Sequence, residues 1–159
     1  MTKNPRGTDE FSPAHGLYTV DRQNRAGQGQ PQKENIAGKA VLIAGANRGI
    51  GGALVNETLR RGAKRVYAGT RGTLTIAGER VTPLTLDVTN AAQIQLAVAE
   101  VETLDVLINN AGIALYDDMG NSGAIEQSLA VNPFGQFNVT RTFLPQLRRS
   151  WWPSSTTCP

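Results

Sequence analysis

The chain has 159 residues, 40% hydrophobic and 18% charged, a length and balance that fit one ordinary soluble domain. Its single His15 and single Cys158 cannot assemble a zinc site or an internal disulfide, and a Ser-His-Asp triad would have to draw His15 from the far N-terminus. The formal net charge of +3 includes no run of five like charges, so it reads as surface solvation and the expectation is no nucleic-acid partner.

Residues 1–35 read as a disordered tail. They hold Pro5, Pro13 and Pro31 with few apolar residues and no period, too little to offset the entropy of ordering. An arm that folds on a partner, or upstream sequence translated from a wrong start, would look the same. The N-terminus has no apolar leader core and no stretch approaches the roughly 20 apolar residues of a membrane span. With the single Cys this gives a cytoplasmic, reducing setting as the expectation, without a membrane.

From Ile36 the character changes. Lys39 to Ala44 (KAVLIA) is an unalternating apolar run, as in a strand buried on both faces. A glycine-rich turn follows at 45–51, then a helical pattern through Ile50, Leu54, Val55 and Leu59 that stops at Gly62. A second strand is expected over 65–69. A third is expected over 81–86, where Pro83 places it at a sheet edge. Thr89-Asn90 can cap a helix over about 91–102, with Ile94, Ala97, Val98 and Val101 on one face. A fourth strand follows over 104–108 and one long helix over about 123–149. Strands alternating with helices predict an α/β fold, a Rossmann-type doubly wound parallel sheet of about four strands, with helices on both faces. The domain spans 36–150, and 151–159 read as an irregular tail.

Gly45, Gly49 and Gly51 stand between the first strand and its helix. Glycine there permits a tight turn, close approach of backbone to a pyrophosphate, and close helix–strand packing. The N–H groups and dipole of the helix start would then hold the phosphates. The spacing is G-x-x-x-G-x-G with no Lys-Ser/Thr after it, which argues against a P-loop NTPase. About 20 residues on, where an Asp or Glu would select NAD, the strand ends in Thr70-Arg71 with no carboxylate. Arg71, with Arg48 inside the turn, can clamp a 2′-phosphate, so NADP is favoured over NAD.

Four motifs occur in order: GANRGIG (45–51), LDVT (86–89), NNAG (109–112) and Val131-Asn132 with Gly135 three residues on. Together they resemble the short-chain dehydrogenase/reductase family over about residues 38–150. The resemblance implies an NAD(P)-dependent oxidoreductase moving hydride between the cofactor and a small alcohol or carbonyl substrate. It assigns Gly45, Asn47, Gly49, Ile50 and Gly51 to the pyrophosphate and nearby ribose. Asp87 and Val88 go to the adenine, and Asn109, Ala111 and Gly112 to the sheet and the cofactor's border. Asn132 matches the asparagine that kinks the long helix and supports a proton-relay water, the one catalytic position present. Arg48 matches an arginine that accompanies NADP preference. Asn109 and Asn110 also read simply as turn caps at a strand end.

Two features depart from the family. Pro133 follows Asn132 inside the expected helix, where it would crowd the Leu129 carbonyl at a cost of up to ~3 kcal/mol in a regular helix. The family's catalysis also needs a Ser at the end of a fifth strand and a Tyr-x-x-x-Lys. The three tyrosines, Tyr18, Tyr67 and Tyr116, are followed four residues on by Arg22, Arg71 and Gly120. The expectation is therefore a catalytically incomplete, cofactor-binding polypeptide. The alternatives are a non-catalytic nucleotide-binding module and a non-functional frameshift product. WWPSSTTCP (151–159) carries two Pro and almost no aliphatic residue. Shifting its reading frame permits Val-Ala-Ile-Val-Asn-Asn-Leu-Ser, which resembles the family's fifth strand, so the tail reads as out of frame. Helix 123–149 carries apolar residues on more than one face, which suggests a homo-oligomer through it.

Overall fold

The computed structural model describes residues 35–74, 76, 78–115 and 121–151. The expected tails at 1–35 and 151–159 lie outside them, apart from Asn35 and the backbone of Trp151, which is helical. The chain runs β1 (Ala40–Ala44), α1 (Gly49–Arg60), β2 (Arg65–Thr70), β3 (Val81–Thr85), α2 (Ala91–Glu100), β4 (Val106–Asn109), α3 (Ser122–Leu129), a π-helical turn (Ala130–Gly135) and α4 (Gln136–Trp151).

The four strands are all parallel, in the order β3-β2-β1-β4. β1 is central and buried along its whole length. Its side chains alternate between two cores, as the strand period of two demands. Ala40, Leu42 and Ala44 join Ile94, Ala97, Val139 and Phe143 on the face covered by α2 and α4. Val41 and Ile43 join Val55, Val66 and Ala68 on the face covered by α1. Pro83 lies on β3 at the sheet edge, where its missing N–H leaves no ladder bond unmade. β2 and β3 are parallel yet joined by only residues 71–80, with no helix over the described part of that stretch. Leu74 and Ile76 from this link pack against the α1-side core in a helix's place.

The expected single helix over 123–149 is instead three segments. Pro133 sits inside the π-turn, where the wider backbone spacing relieves the clash that a regular helix would impose. A second proline, Pro145, lies inside α4. The expected strand at 104–108 pairs with β1 over 106–109, because Asp105 is held to the start of β1 by two hydrogen bonds: Asp105 N–H to Ala40 O (2.9 Å) and Ala40 N–H to Asp105 Oδ2 (2.7 Å).

Candidate functional site

The glycine turn begins where β1 ends. Gly45 and Ala46 both donate to Gly69 O of β2, at 2.8 and 3.0 Å, which folds the chain sharply back over the sheet. Gly45 has φ +75°, and a Cβ there would lie 2.8 Å from Ala111 Cα. A Cβ on Gly51 would overlap Gly45 O and lie 2.7 Å from Asn110 Nδ2. The turn, the first residues of α1 and the segment after β4 are thus packed too closely for side chains. Arg48 is the N-cap of α1; its side chain makes no capping bond and the first turn holds no acidic residue. The positive end of the helix therefore meets no carboxylate within its own first turn.

A cavity of about 400 Å³ opens over this turn. Of the residues expected from the sequence, it is lined by Gly45, Asn47, Arg48, Ile50, Gly51, Arg71, Asp87, Val88, Ala111 and Gly112. Asn47 Oδ1 is buried with no hydrogen-bond donor in reach. A buried acceptor left unpaired costs about 1–3 kcal/mol, so this oxygen is suited to a donor from a bound group. Burial opposes ionisation of Asp87. Hydrogen bonds from Thr89 Oγ1 (2.7 Å) and Thr89 N–H (2.9 Å), with the charge of Arg71, outweigh it and hold the carboxyl below its usual range. Asp87 is therefore an anion at neutral pH whose charge is partly satisfied by its own turn and by Arg71.

Three expected site residues lie elsewhere. Gly49, with φ +56°, is outside the cavity lining. Asn109 is also outside it. It is in register with Ala44, and its Nδ2 donates to Thr140 Oγ1 of α4 at 2.8 Å. The next residue, Asn110, takes the position at the cavity and donates through Nδ2 to Gly45 O at 3.0 Å. Side chains alternate at a strand end, so one of two adjacent asparagines must face the helix layer and the other the turn. That alternation was the available signal for Asn110. Asn132, within the π-turn, is not a lining residue either. Its Oδ1 accepts from Ile113 N–H and its Nδ2 donates to Ile113 O, both at 2.9 Å, so it supplies both missing backbone partners of a lining residue. Thr70, Gly72, Leu86, Ile113 and Val131 complete the lining; Leu86 and Val131 open two of the four motifs without being assigned to the site, and the other three stand outside the motifs.

Among the described residues no cluster of three or more His, Cys, Asp or Glu side chains could hold a metal ion, and no helix is long and apolar enough to cross a membrane. The family model for short chain dehydrogenases matches residues 39–152. The chain is 31% identical over 175 residues to the short chain dehydrogenase pigC of Monascus ruber, covering 92% of this chain and 56% of that protein. It is 37% identical over 130 residues to retinol dehydrogenase 12 of Bos taurus, covering 72% and 41%. Its fold is similar to the crystal structure of a short chain dehydrogenase from Burkholderia cenocepacia J2315 in complex with NADP. That similarity has a TM-score of 0.71 at 36% identity, over 73% of this chain and 51% of the other. The chain thus spans about half the length, or less, of the relatives it matches.

Proposed function

Because the chain belongs to the short chain dehydrogenase family, we propose that its cavity binds NADP in preference to NAD, as part of an oxidoreductase acting on an alcohol or carbonyl compound. The observation that carries this reading is the lining itself: Arg48 and Arg71 share one cavity with the uncapped start of α1, and the end of β2 has no carboxylate. Two guanidinium groups and a positive helix end suit a ligand with three phosphates. The residues present fit the cofactor. Gly45 and Gly51 admit its pyrophosphate against bare backbone. Asn47 Oδ1 offers an acceptor to a ribose hydroxyl, and Asp87 and Val88 wall the adenine side. Asn132 holds the Ile113 backbone in place, and Asn110 ties Gly45 to the end of β4. NADP, when bound, supplies or accepts a hydride.

The same reading makes this polypeptide a binder without turnover. Tyr67 is buried in β2 at 3% exposure and cannot serve as an acid or base in the cavity. Tyr18 and Tyr116 lie outside the described residues, and no tyrosine is followed by lysine four positions on. A proton partner typically contributes 10²–10⁴-fold in rate. Fluorescence titration with NADPH and NADH, beside a carbonyl-reductase assay, tests both parts. Arg71→Ala should weaken NADPH about tenfold and leave NADH nearly unchanged. Equal losses for the two nucleotides overturn the NADP preference, and turnover overturns the binder reading. Tight binding without turnover equally fits a nucleotide-binding module. Phe134 and Phe137, 59% and 61% exposed, favour a second copy packing against the α3–α4 segment, which sedimentation would register as a dimer mass.

A further inference from the structure

We infer that Gln93, a residue of α2 outside the cavity, is a positioning residue for nucleotide binding through its hold on the Asp87–Val88 wall; this rests on the nucleotide reading above. The last sheet bond of the β3 strand path is Leu86 N–H to Thr70 O, at 2.9 Å. Past it the chain turns away from the sheet, and the Asp87 N–H has no strand to pair with. Gln93 Oε1 accepts that N–H at 2.8 Å from six residues further along.

The bond is not an ordinary part of capping α2. Asn90 is the N-cap, and its Oδ1 already accepts from Gln93 N–H at 3.1 Å. In a capping box the glutamine at this position would reach back to the N-cap N–H. Here the Asn90 N–H goes to Asp87 O at 3.0 Å instead. The Gln93 amide is thereby released to reach three residues further, to the cavity wall. The other hydrogen bonds on Asp87, from Thr89 to its carboxylate and from Asn90 N–H to its carbonyl, belong to the same short turn and move with it, and the charge of Arg71 acts on the carboxylate across the cavity. Gln93 is the side-chain link from the body of the helix to that turn. On the other side Val88 abuts Gly135 so closely that a Cβ there would lie 2.5 Å from Val88 Cγ2. The wall is held between Gln93 and the π-turn, and release of the glutamine leaves Asp87 N–H without its acceptor.

The test uses the full chain with three readouts: NADPH titration, NADH titration, and thermal melting without nucleotide. Gln93→Met keeps the length and removes the acceptor. It should weaken both nucleotides about fivefold, with a nucleotide-free melt close to that of the unmodified chain. A parallel loss for NADPH and NADH separates this wall from Arg71, whose loss is confined to NADPH. Gln93→Glu keeps an acceptor for the Asp87 N–H but sets a second carboxylate beside the Asp87 anion, so it should recover part of the Gln93→Met loss, and more of it at high ionic strength, where that repulsion is screened. Unchanged binding in Gln93→Met, or no recovery in Gln93→Glu relative to Gln93→Met even at high ionic strength, overturns the assignment while leaving the nucleotide reading intact. If Gln93→Met does not fold, Gln93→Asn, too short to reach Asp87, takes its place with the same two outcomes. An unmodified chain that binds neither nucleotide refutes the nucleotide reading and this one together.

Discussion

The two edges of the sheet are built differently. β3 ends the sheet with exposed Pro83 and exposed Thr85, and buries Leu84 inward. Proline offers no N–H to a further strand, so this edge is blunted by its own residues. β4 ends the other side with Val106, Leu107, Ile108 and Asn109, each half-buried. An apolar, unblunted run of this kind has the composition of an interior parallel strand. β3 is terminal by composition and β4 by position. The β4 side is held to the rest of the domain by its ladder on β1 and by packing of Val106, Leu107 and Ile108 into the two cores, with polar ties from Asp105 to Ala40 and from Asn110 to Gly45 added. The difference teaches that the β3 side is closed by its own residues, while β4 keeps an interior strand's ladder and two-sided packing and adds long-range polar ties that single substitutions can weaken.

The largest effect should come from Gly135→Ala. The new Cβ would meet Val88 Cγ2 at 2.5 Å and Val88 Cβ at 3.0 Å, and valine has little rotamer freedom to move away. Overpacking of this kind costs about 3 kcal/mol, and replacing glycine in a helical segment returns at most about 1 kcal/mol. A net loss of about 2 kcal/mol in denaturant unfolding is expected, with faster amide exchange in β4 and α4 before β2 and β3. Uniform loosening of all four strands would erase the contrast between the two sides.

Asp105→Ala should cost less, about 1 kcal/mol, because the carboxylate is only half-buried and solvent screens its charge. The substitution removes the acceptor of the Ala40 N–H and of the Ser150 hydroxyl. Burial opposes ionisation of Asp105, but these two hydrogen bonds and the charges of Lys39 and Lys64 outweigh it and hold its carboxyl below the ordinary range. The sign follows: its stabilisation is complete above the unfolded-chain pKa of about 3.9 and is lost as pH falls through the lower folded value. Asp87 behaves alike. The melting temperature should therefore drop as pH falls below about 4. Asp105→Asn should make that drop shallower and keep part of the Ala40 bond. An unchanged acid profile in Asp105→Asn would show that the β4 tie does not depend on the charge.

Much of this arrangement was legible in the sequence because it is local. The unbroken apolar run at 40–44, the capping Asn90 and the edge position of Pro83 each follow from the residue's own chemistry. The illegible parts depend on tertiary partners. Pro133 reads as a helix breaker, yet the chain absorbs it by widening one turn; the resemblance implies a kink at Asn132 but not that it takes this form. Asn109 and Asn110 are equivalent as letters and part only when β4 takes its register on β1. Gln93 looks like a helix-start residue, and its bond to Asp87 depends on β3 being the edge strand, where the Asp87 N–H has no strand partner.

The smallest effect in stability, and the sharpest probe of the two edges, is Pro83→Val. The side chain at 83 is exposed and lies in register with Ala68 at the sheet's outer strand. Valine restores an N–H and fits a pleated strand, so stability should change by less than about 0.5 kcal/mol. The blunted edge becomes a pairing edge, and light scattering at rising concentration measures the consequence. If β4 is the edge through which chains associate, Pro83→Val adds only a small increment to the association of the unmodified chain. A large increase would mean that β4 is covered in solution and that Pro83 was the barrier. That result would reverse the comparison, since the strand with the interior composition would then be the protected edge and the proline edge the one guarding solubility.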